Sequence, residues 1–216
     1  MATRKAETAS RKAGRKARKP LREPISKEVW KPGTMLCPVP VVMVTSLDAE
    51  GRPNIMTVAW TGTVCSEPPM LSISLRKATY SYGLIMASRE FVVNVPTVRQ
   101  IRAADYCGVV SGRDVDKFEK TGLTPGPAST VKPPIIMECP INLECAVRQV
   151  LELGLHTMFV AEITGVQVSR HLIAASGRLA IEQAGLAAFA HGEYYALGKK
   201  LGFFGYSVQK KHAKRV

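Results

Sequence analysis

Two stretches of the chain carry polar groups dense enough to do chemistry. Asn54–Ser66 reads NIMTVAWTGTVCS and places Asn54, Thr57, Thr61, Thr63 and Ser66 at mixed parity around Trp60. Successive strand residues face opposite sides, so polar groups here fall on both faces. Two readings stand. The threonines line a solvated face while Trp60 fills a core, or the strand edge offers amides and hydroxyls to a flat polar heterocycle with Trp60 as part of the wall. The second stretch, Leu75–Leu84 (LRKATYSYGL), gathers Arg76, Lys77, Thr79, Ser81 and Tyr82 at a predicted helix start. Cationic side chains, hydroxyls and the open amides of a helix N-terminus together hold a phosphate. An exposed basic turn with a Thr or Ser cap carries the same residues. The glycines of a dinucleotide fingerprint or a P-loop are absent, so a cradle here would be built from side chains.

Other chemistries find little support. There is no Ser-His-Asp order, no carboxylate pair with supporting context and no metal cluster to defend, so no catalytic residue and no metal ligand is assigned. Cys37, Cys65, Cys107, Cys139 and Cys145 are odd in number and widely spread. They fit neither a disulfide framework nor zinc spacing and are expected to be buried free thiols.

The elements that must position these groups are mostly strands. Val39–Leu47 and Ile55–Ser66 are predicted to form a hairpin around the turn Asp48–Arg52, followed by strands at Met70–Leu75 and Phe91–Val95. Ile141–Leu153 and Thr157–Ser169 are predicted as a larger hairpin around Gly154. Helical patterns cover Tyr80–Ser88, Thr97–Val109 after a Thr cap, and Asp114–Lys120. Residues 171–186 are Ala-rich and ambiguous, with helix one option, and Ala187–Leu197 turns at Gly192 beside Tyr194 and Tyr195. Strands do not alternate one-for-one with helices. The expected fold is therefore mainly β with helices (α+β), a Greek-key split β-barrel rather than a doubly wound sheet.

Charge is segregated. The 216-residue chain carries +13 at pH 7, but residues 1–24 hold nine Lys/Arg against two Glu, residues 199–216 hold six basic and no acidic residues, and the body between is neutral. The high isoelectric point thus describes the ends, not the fold. Residues 1–24 are expected to be a disordered basic tail and 210–216 a basic C-terminal end, flanking one domain over 25–209. The N-terminal tail lacks the aromatics that a single-strand nucleic-acid binder interleaves with its basic residues, although nucleic-acid contact through it is the alternative role for that charge. With no apolar run of membrane length and no apolar centre near the N-terminus, a cytoplasmic protein is expected.

Several separated blocks share a family order: NIMTVAW, PPM, SLR with TYS, DYCGVVSGRDVDKF, HTMFVAEI and YYALGKKLGFFGYSV. Over residues 35–208 they resemble the flavin reductase-like family of FMN-binding split barrels, in particular its flavoredoxin branch. The resemblance implies FMN in a groove near a homodimer interface. It implies Asn54, Thr57 and Trp60 beside the isoalloxazine, with Thr63, Cys65 and Ser66 continuing that edge, and Arg76, Lys77, Thr79 and Ser81 around the ribityl phosphate. Lys117 and His156 approach the flavin and Phe189 covers a ring face, with Tyr194 and Tyr195 as less specific neighbours. The implied function is an FMN-dependent oxidoreductase that passes reducing equivalents from NAD(P)H or a redox protein to flavin or another acceptor. A non-catalytic FMN electron carrier is the alternative, and a nucleic-acid-binding protein acting through its tails is the second. Since flavin itself accepts hydride or electrons, no acid–base pair is required.

Overall fold

A computed structural model describes residues 25–208. The basic tail 1–24 and the end 210–216 lie outside the described residues. The chain divides into a unit over residues 1–34 and one over 35–216. Of the first unit, residues 25–34 form no helix or strand and are exposed.

The second unit begins with β1 (Val39–Pro40), β2 (Val42–Leu47), β3 (Pro53–Val58), β4 (Thr61–Ser66) and β5 (Pro69–Arg76). Helix α1 (Tyr80–Ser88) and β6 (Glu90–Val95) follow, then α2 (Ile101–Val109) and α3 (Lys117–Thr121). The short strands β7 (Pro125–Gly126) and β8 (Ile135–Ile136) pair with each other. The long strands β9 (Ile141–Leu153) and β10 (His156–Val168) precede β11 (Ala187–Ala190) and β12 (Glu193–Ala196). Seven strands form one antiparallel sheet in the order β3-β2-β6-β9-β10-β5-β4. Its non-sequential neighbours make the Greek-key crossovers of a split β-barrel, and β1, β11 and β12 form a separate three-stranded sheet.

Local chemistry accounts for the helices. Thr97 accepts a hydrogen bond from Arg99 N at 3.1 Å and its own amide is met by Gln100 Oε1 at 3.0 Å, so a capping box opens the 3-10 turn that leads into α2. Asp116 caps α3 by accepting from Glu119 N at 3.1 Å, and Gly122 ends it at φ 68°, a left-handed conformation that costs a glycine little. One face of the main sheet buries Val44, Ile73, Phe91, Phe159 and Ile85 of α1. A second cluster packs Ala104 and Cys107 of α2 and Phe118 of α3 on Met43 and Ile55, fixing these two helices over β2 and β3.

Four expectations need correction. The strand expected over Ile55–Ser66 breaks at Ala59 and Trp60, where Trp60 O accepts from Ser74 N at 2.9 Å. There the chain leaves its pairing with β2 and starts pairing with β5, so the polar residues at mixed parity belong to two strands. A similar switch at Val41 divides Val39–Leu47 between two sheets. Residues 171–186 hold only two 3-10 turns, Arg170–Leu172 and Ile181–Gln183. Gly177 and Gly185 take positive φ there, and the small side chains of Ala180 and Ala184 are buried where a regular helix would need a continuous apolar stripe. Cys107, Cys139 and Cys145 are buried free thiols, but Cys37 is exposed and Cys65 half-buried. No helix among the described residues is long and apolar enough to cross a membrane.

Candidate functional site

The switch at Trp60 opens a cleft beside the sheet. Met56, Thr57, Val58, Ala59 and Trp60 line it together with Ser74, Arg76, Thr79, Gly108 and His156, around about 320 Å³. Trp60 and Arg76 thus face a shared space, and His156 stands directly across the sheet register from Arg76. Trp60 is 38% exposed, so it serves as wall and not as core filling. Thr57 donates its hydroxyl proton to Ala104 O, tying β3 to α2.

Met56, Thr79 and Gly108 are shared with a second cleft of about 230 Å³, lined also by Asn54, Ser81, Lys117 and the loop Val109–Arg113. Lys117 is 4% exposed, and its ammonium donates to Ile55 O at 2.7 Å and Cys107 O at 2.8 Å. These two bonds anchor α3 to β3 and α2. Among the described residues no carboxylate lies within ion-pair distance of it. Burial pushes its pKa down, partly opposed by the Cys107 thiol, and burial pushes that thiol up to about 11. A buried ammonium paired only with carbonyls at a cleft floor leaves its counter-charge to a ligand.

Helix α1 starts at the same place. Thr79 donates to Arg76 O at 2.8 Å and makes no cap bond to the helix, so the first amides of α1 carry no side-chain acceptor. Asn54 is buried, with Nδ2 donating to Ser81 Oγ at 2.8 Å and Oδ1 without a partner. Gly112 comes so close that a Cβ built on it would stand 1.9 Å from Asn54 Oδ1. The Gly112→Ala variant is therefore expected to lose at least about 1 kcal/mol of stability and to weaken any ligand held by Asn54, because the clashing side chain is pinned by Ser81. A denaturant melt beside a ligand titration checks both, and a variant unchanged in both removes Asn54 from the site.

The fold brings Asn54, Thr57, Trp60, Arg76, Thr79, Ser81, Lys117 and His156 to these joined clefts. Others lie apart from them within this chain. Thr63, Cys65 and Ser66 sit farther along β4, beyond the switch, and line neither cleft. Lys77 pairs with Glu152 at 2.5 Å in an exposed contact. Phe189 is on β11, packed edge-to-face on Tyr194, whose hydroxyl donates to Asp105 at 3.0 Å, while the Tyr195 hydroxyl donates to Glu193. Met56, Tyr80, Gly108, Ser111 and Arg113 line the clefts without having been singled out from the sequence. Three of these five, Gly108, Ser111 and Arg113, fall inside the same DYCGVVSGRDVDKF block as Lys117.

The donor set fits an elongated ligand with a flat polar ring and an anionic end. Trp60, Met56 and the strand backbone offer the slot, and Ser81, Ser111, Arg113, Lys117 and the start of α1 offer donors and charge. The orphan Asn54 oxygen calls for a hydroxyl or amide donor between the two.

Known proteins share this fold. The flavoredoxin structure of Desulfovibrio vulgaris (Miyazaki F) superposes with a TM-score of 0.80 at 36% identity, over 85% of this chain and all of that one. Flavoredoxin from Methanosarcina acetivorans does so with a TM-score of 0.75 at 27% identity, over the same 85% and all of that chain. An uncharacterised Archaeoglobus fulgidus protein is 39% identical over 115 residues, which is 53% of this chain and 65% of that protein, so the match spans just under two thirds of its length. The family model of the flavin reductase like domain matches residues 34–198, most of the chain, and the protein belongs to that family.

Proposed function

We propose that the chain binds FMN and acts as a flavin-dependent oxidoreductase, passing reducing equivalents from NAD(P)H or a reduced redox protein to flavin or a further acceptor. The carrying observation is that Trp60, Arg76 and His156 on one side and Ser81, Arg113 and Lys117 on the other converge on clefts with common walls. Membership of the flavin reductase-like family supports flavin-linked redox chemistry for this fold.

When bound, the flavin supplies the chemistry by accepting and releasing hydride or electrons. The chain binds and orients. Trp60 and Met56 flank the ring, and strand amides with His156 give fixed partners at its edge. Lys117, with two protons committed to carbonyls, offers the third to the cleft, where Ser81 and Arg113 complete an anion site. This division puts the phosphate at the Lys117 end and leaves Arg76 near the ring. A half-open slot at Trp60 leaves one ring face for a nicotinamide or a protein partner. A homodimer with FMN near its interface, working in the cytoplasm, completes the reading, and Phe189 of a second copy is the group to cover the ring.

Purified protein is expected to be yellow with stoichiometric FMN, and anaerobic addition of NADH or NADPH is expected to bleach it. Colourless protein that ignores added FMN overturns the reading. Bound FMN that neither nucleotide reduces, while a reduced redox protein does, assigns the electron-carrier form of the same function.

A further inference from the structure

The flavin clefts leave the charge at the chain's ends unused, and at the C-terminal end that charge flanks an exposed apolar hook. Residues 199–216 hold six basic and no acidic residues. The family model stops at residue 198, so this arm lies past the matched domain. Leu197 N donates to Leu186 O at 3.1 Å, and beyond it the backbone hydrogen bonds among the described residues stay within the arm itself.

Those bonds give the arm a shape of its own. Tyr206 N donates to Phe203 O at 3.1 Å and Val208 N to Gly205 O at 3.2 Å. Gly205, third residue of the first turn, takes φ 85°, the left-handed value that a type II turn requires there. The Tyr206 ring covers Gly202, where a Cβ would stand 2.6 Å from it, and meets the Phe203 ring edge-to-face at 6.1 Å. These contacts hold the hook closed and set Phe204, second in the turn, at its apex. Leu201 is 94%, Phe204 106% and Val208 81% exposed. Lys199 and Lys200 precede this apolar tip, and Lys210 and Lys211 follow it in the sequence. Glu182, whose charge Lys200 feels, is already paired with Arg178 at 2.7 Å.

A cluster of exposed apolar side chains between lysine pairs marks an interaction surface, and its charge calls for an anionic partner. The body of the chain is neutral, so a second copy offers no net opposite charge. A single-stranded nucleic acid would use the aromatic rings and the lysines but gives the aliphatic Leu201 and Val208 nothing to bury against. A bilayer rich in anionic phospholipid takes both parts: its acyl boundary accepts the tip and its headgroups face the lysines.

We infer that the hook is a peripheral membrane anchor, with Leu201 and Phe204 entering the boundary between headgroups and acyl chains of an anionic bilayer. It gives the proposed oxidoreductase a place of action and stands independently of its flavin chemistry.

The test is co-sedimentation of the full-length protein with vesicles of phosphatidylcholine, alone or mixed with phosphatidylglycerol. Wild type is expected to partition onto the mixed vesicles and not onto the neutral ones, and to leave them as salt rises. The double variant Leu201→Ser, Phe204→Ser keeps every charge and is expected to lose about tenfold in partition. Its thermal melt is expected to match wild type, because both side chains are exposed. The indole introduced by Phe204→Trp is expected to be quenched by phospholipid brominated on its acyl chains, beyond the quenching that Trp30 and Trp60 give wild type. Equal partition of wild type and the serine variant means that charge alone binds, and overturns the inference. So does wild type that ignores anionic vesicles, whether its hook then proves to bind a single-stranded oligonucleotide or to hold a dimer in light scattering.

Discussion

Lys117→Met is expected to lower FMN affinity about 100-fold, some 2.7 kcal/mol, with only a small change in the stability of the flavin-free protein. Two effects oppose each other in the free protein. Methionine leaves Ile55 O and Cys107 O without their donor, at about 1–3 kcal/mol each. It also removes the ammonium of a residue that is 4% exposed and has no carboxylate partner among the described residues, which relieves a desolvation cost of several kcal/mol. These nearly cancel. With ligand bound nothing cancels, because the charge that balanced the phosphate is gone. Riboflavin, which lacks the phosphate, is expected to lose much less affinity than FMN. Lys117→Arg is not expected to rescue, since a planar fork cannot donate to two carbonyls and a ligand from the position of one Nζ. FMN affinity unchanged within about threefold in Lys117→Met would show that the ammonium is a structural strut alone.

The same lysine marks the limit of what the sequence discloses. Flanked by Asp116 and Glu119, it has the pattern of a solvated helix. What buries it is tertiary: α3 is a single capped turn pressed against β3 and α2, and the two free carbonyls it satisfies lie 62 and 10 residues away. The hairpin around Asp48–Arg52, helix α1 and the Thr97 cap were legible because their signals are local. Trp60 was legible as a candidate but its break was not, since β-branched residues continue on both sides and only the change of partner from β2 to β5 creates the bend. The same bend separates Thr57 from Thr63: one stays at the cleft, the other is carried along β4 away from it. Ser111 and Arg113 were missed for a simpler reason. They follow a helix end in an irregular loop, where no periodicity says which way a side chain points.

Acid is expected to attack this architecture through Glu144, which lies fully buried on β9. Burial alone would raise its pKa. Gln167 Nε2 donates to it at 2.9 Å, and Ser129 N, Thr130 N and Thr130 Oγ1 donate at 2.8, 2.5 and 2.8 Å, which outweighs the burial and takes the carboxyl from 4.5 down to about 2. A carboxylate whose folded pKa is depressed contributes stability that is complete above the unfolded value and is lost as pH falls through the folded one. The shift corresponds to about 3 kcal/mol, present at pH 7, roughly halved near pH 3 and gone below pH 2. Glu144→Gln cannot accept from all four donors, so it is expected to lose about 3 kcal/mol at pH 7, with the difference from wild type shrinking as pH drops. Denaturant melts at pH 7 and pH 3 measure it, and parallel pH slopes for the two proteins would remove Glu144 as the acid-labile group. Ser129 and Thr130 belong to the loop between β7 and β8, and Ile136 of β8 packs in the cluster that holds Phe118 beside Lys117. Protonating Glu144 therefore loosens the support beneath the anion cleft, and flavin release is expected to precede global unfolding on the acid side.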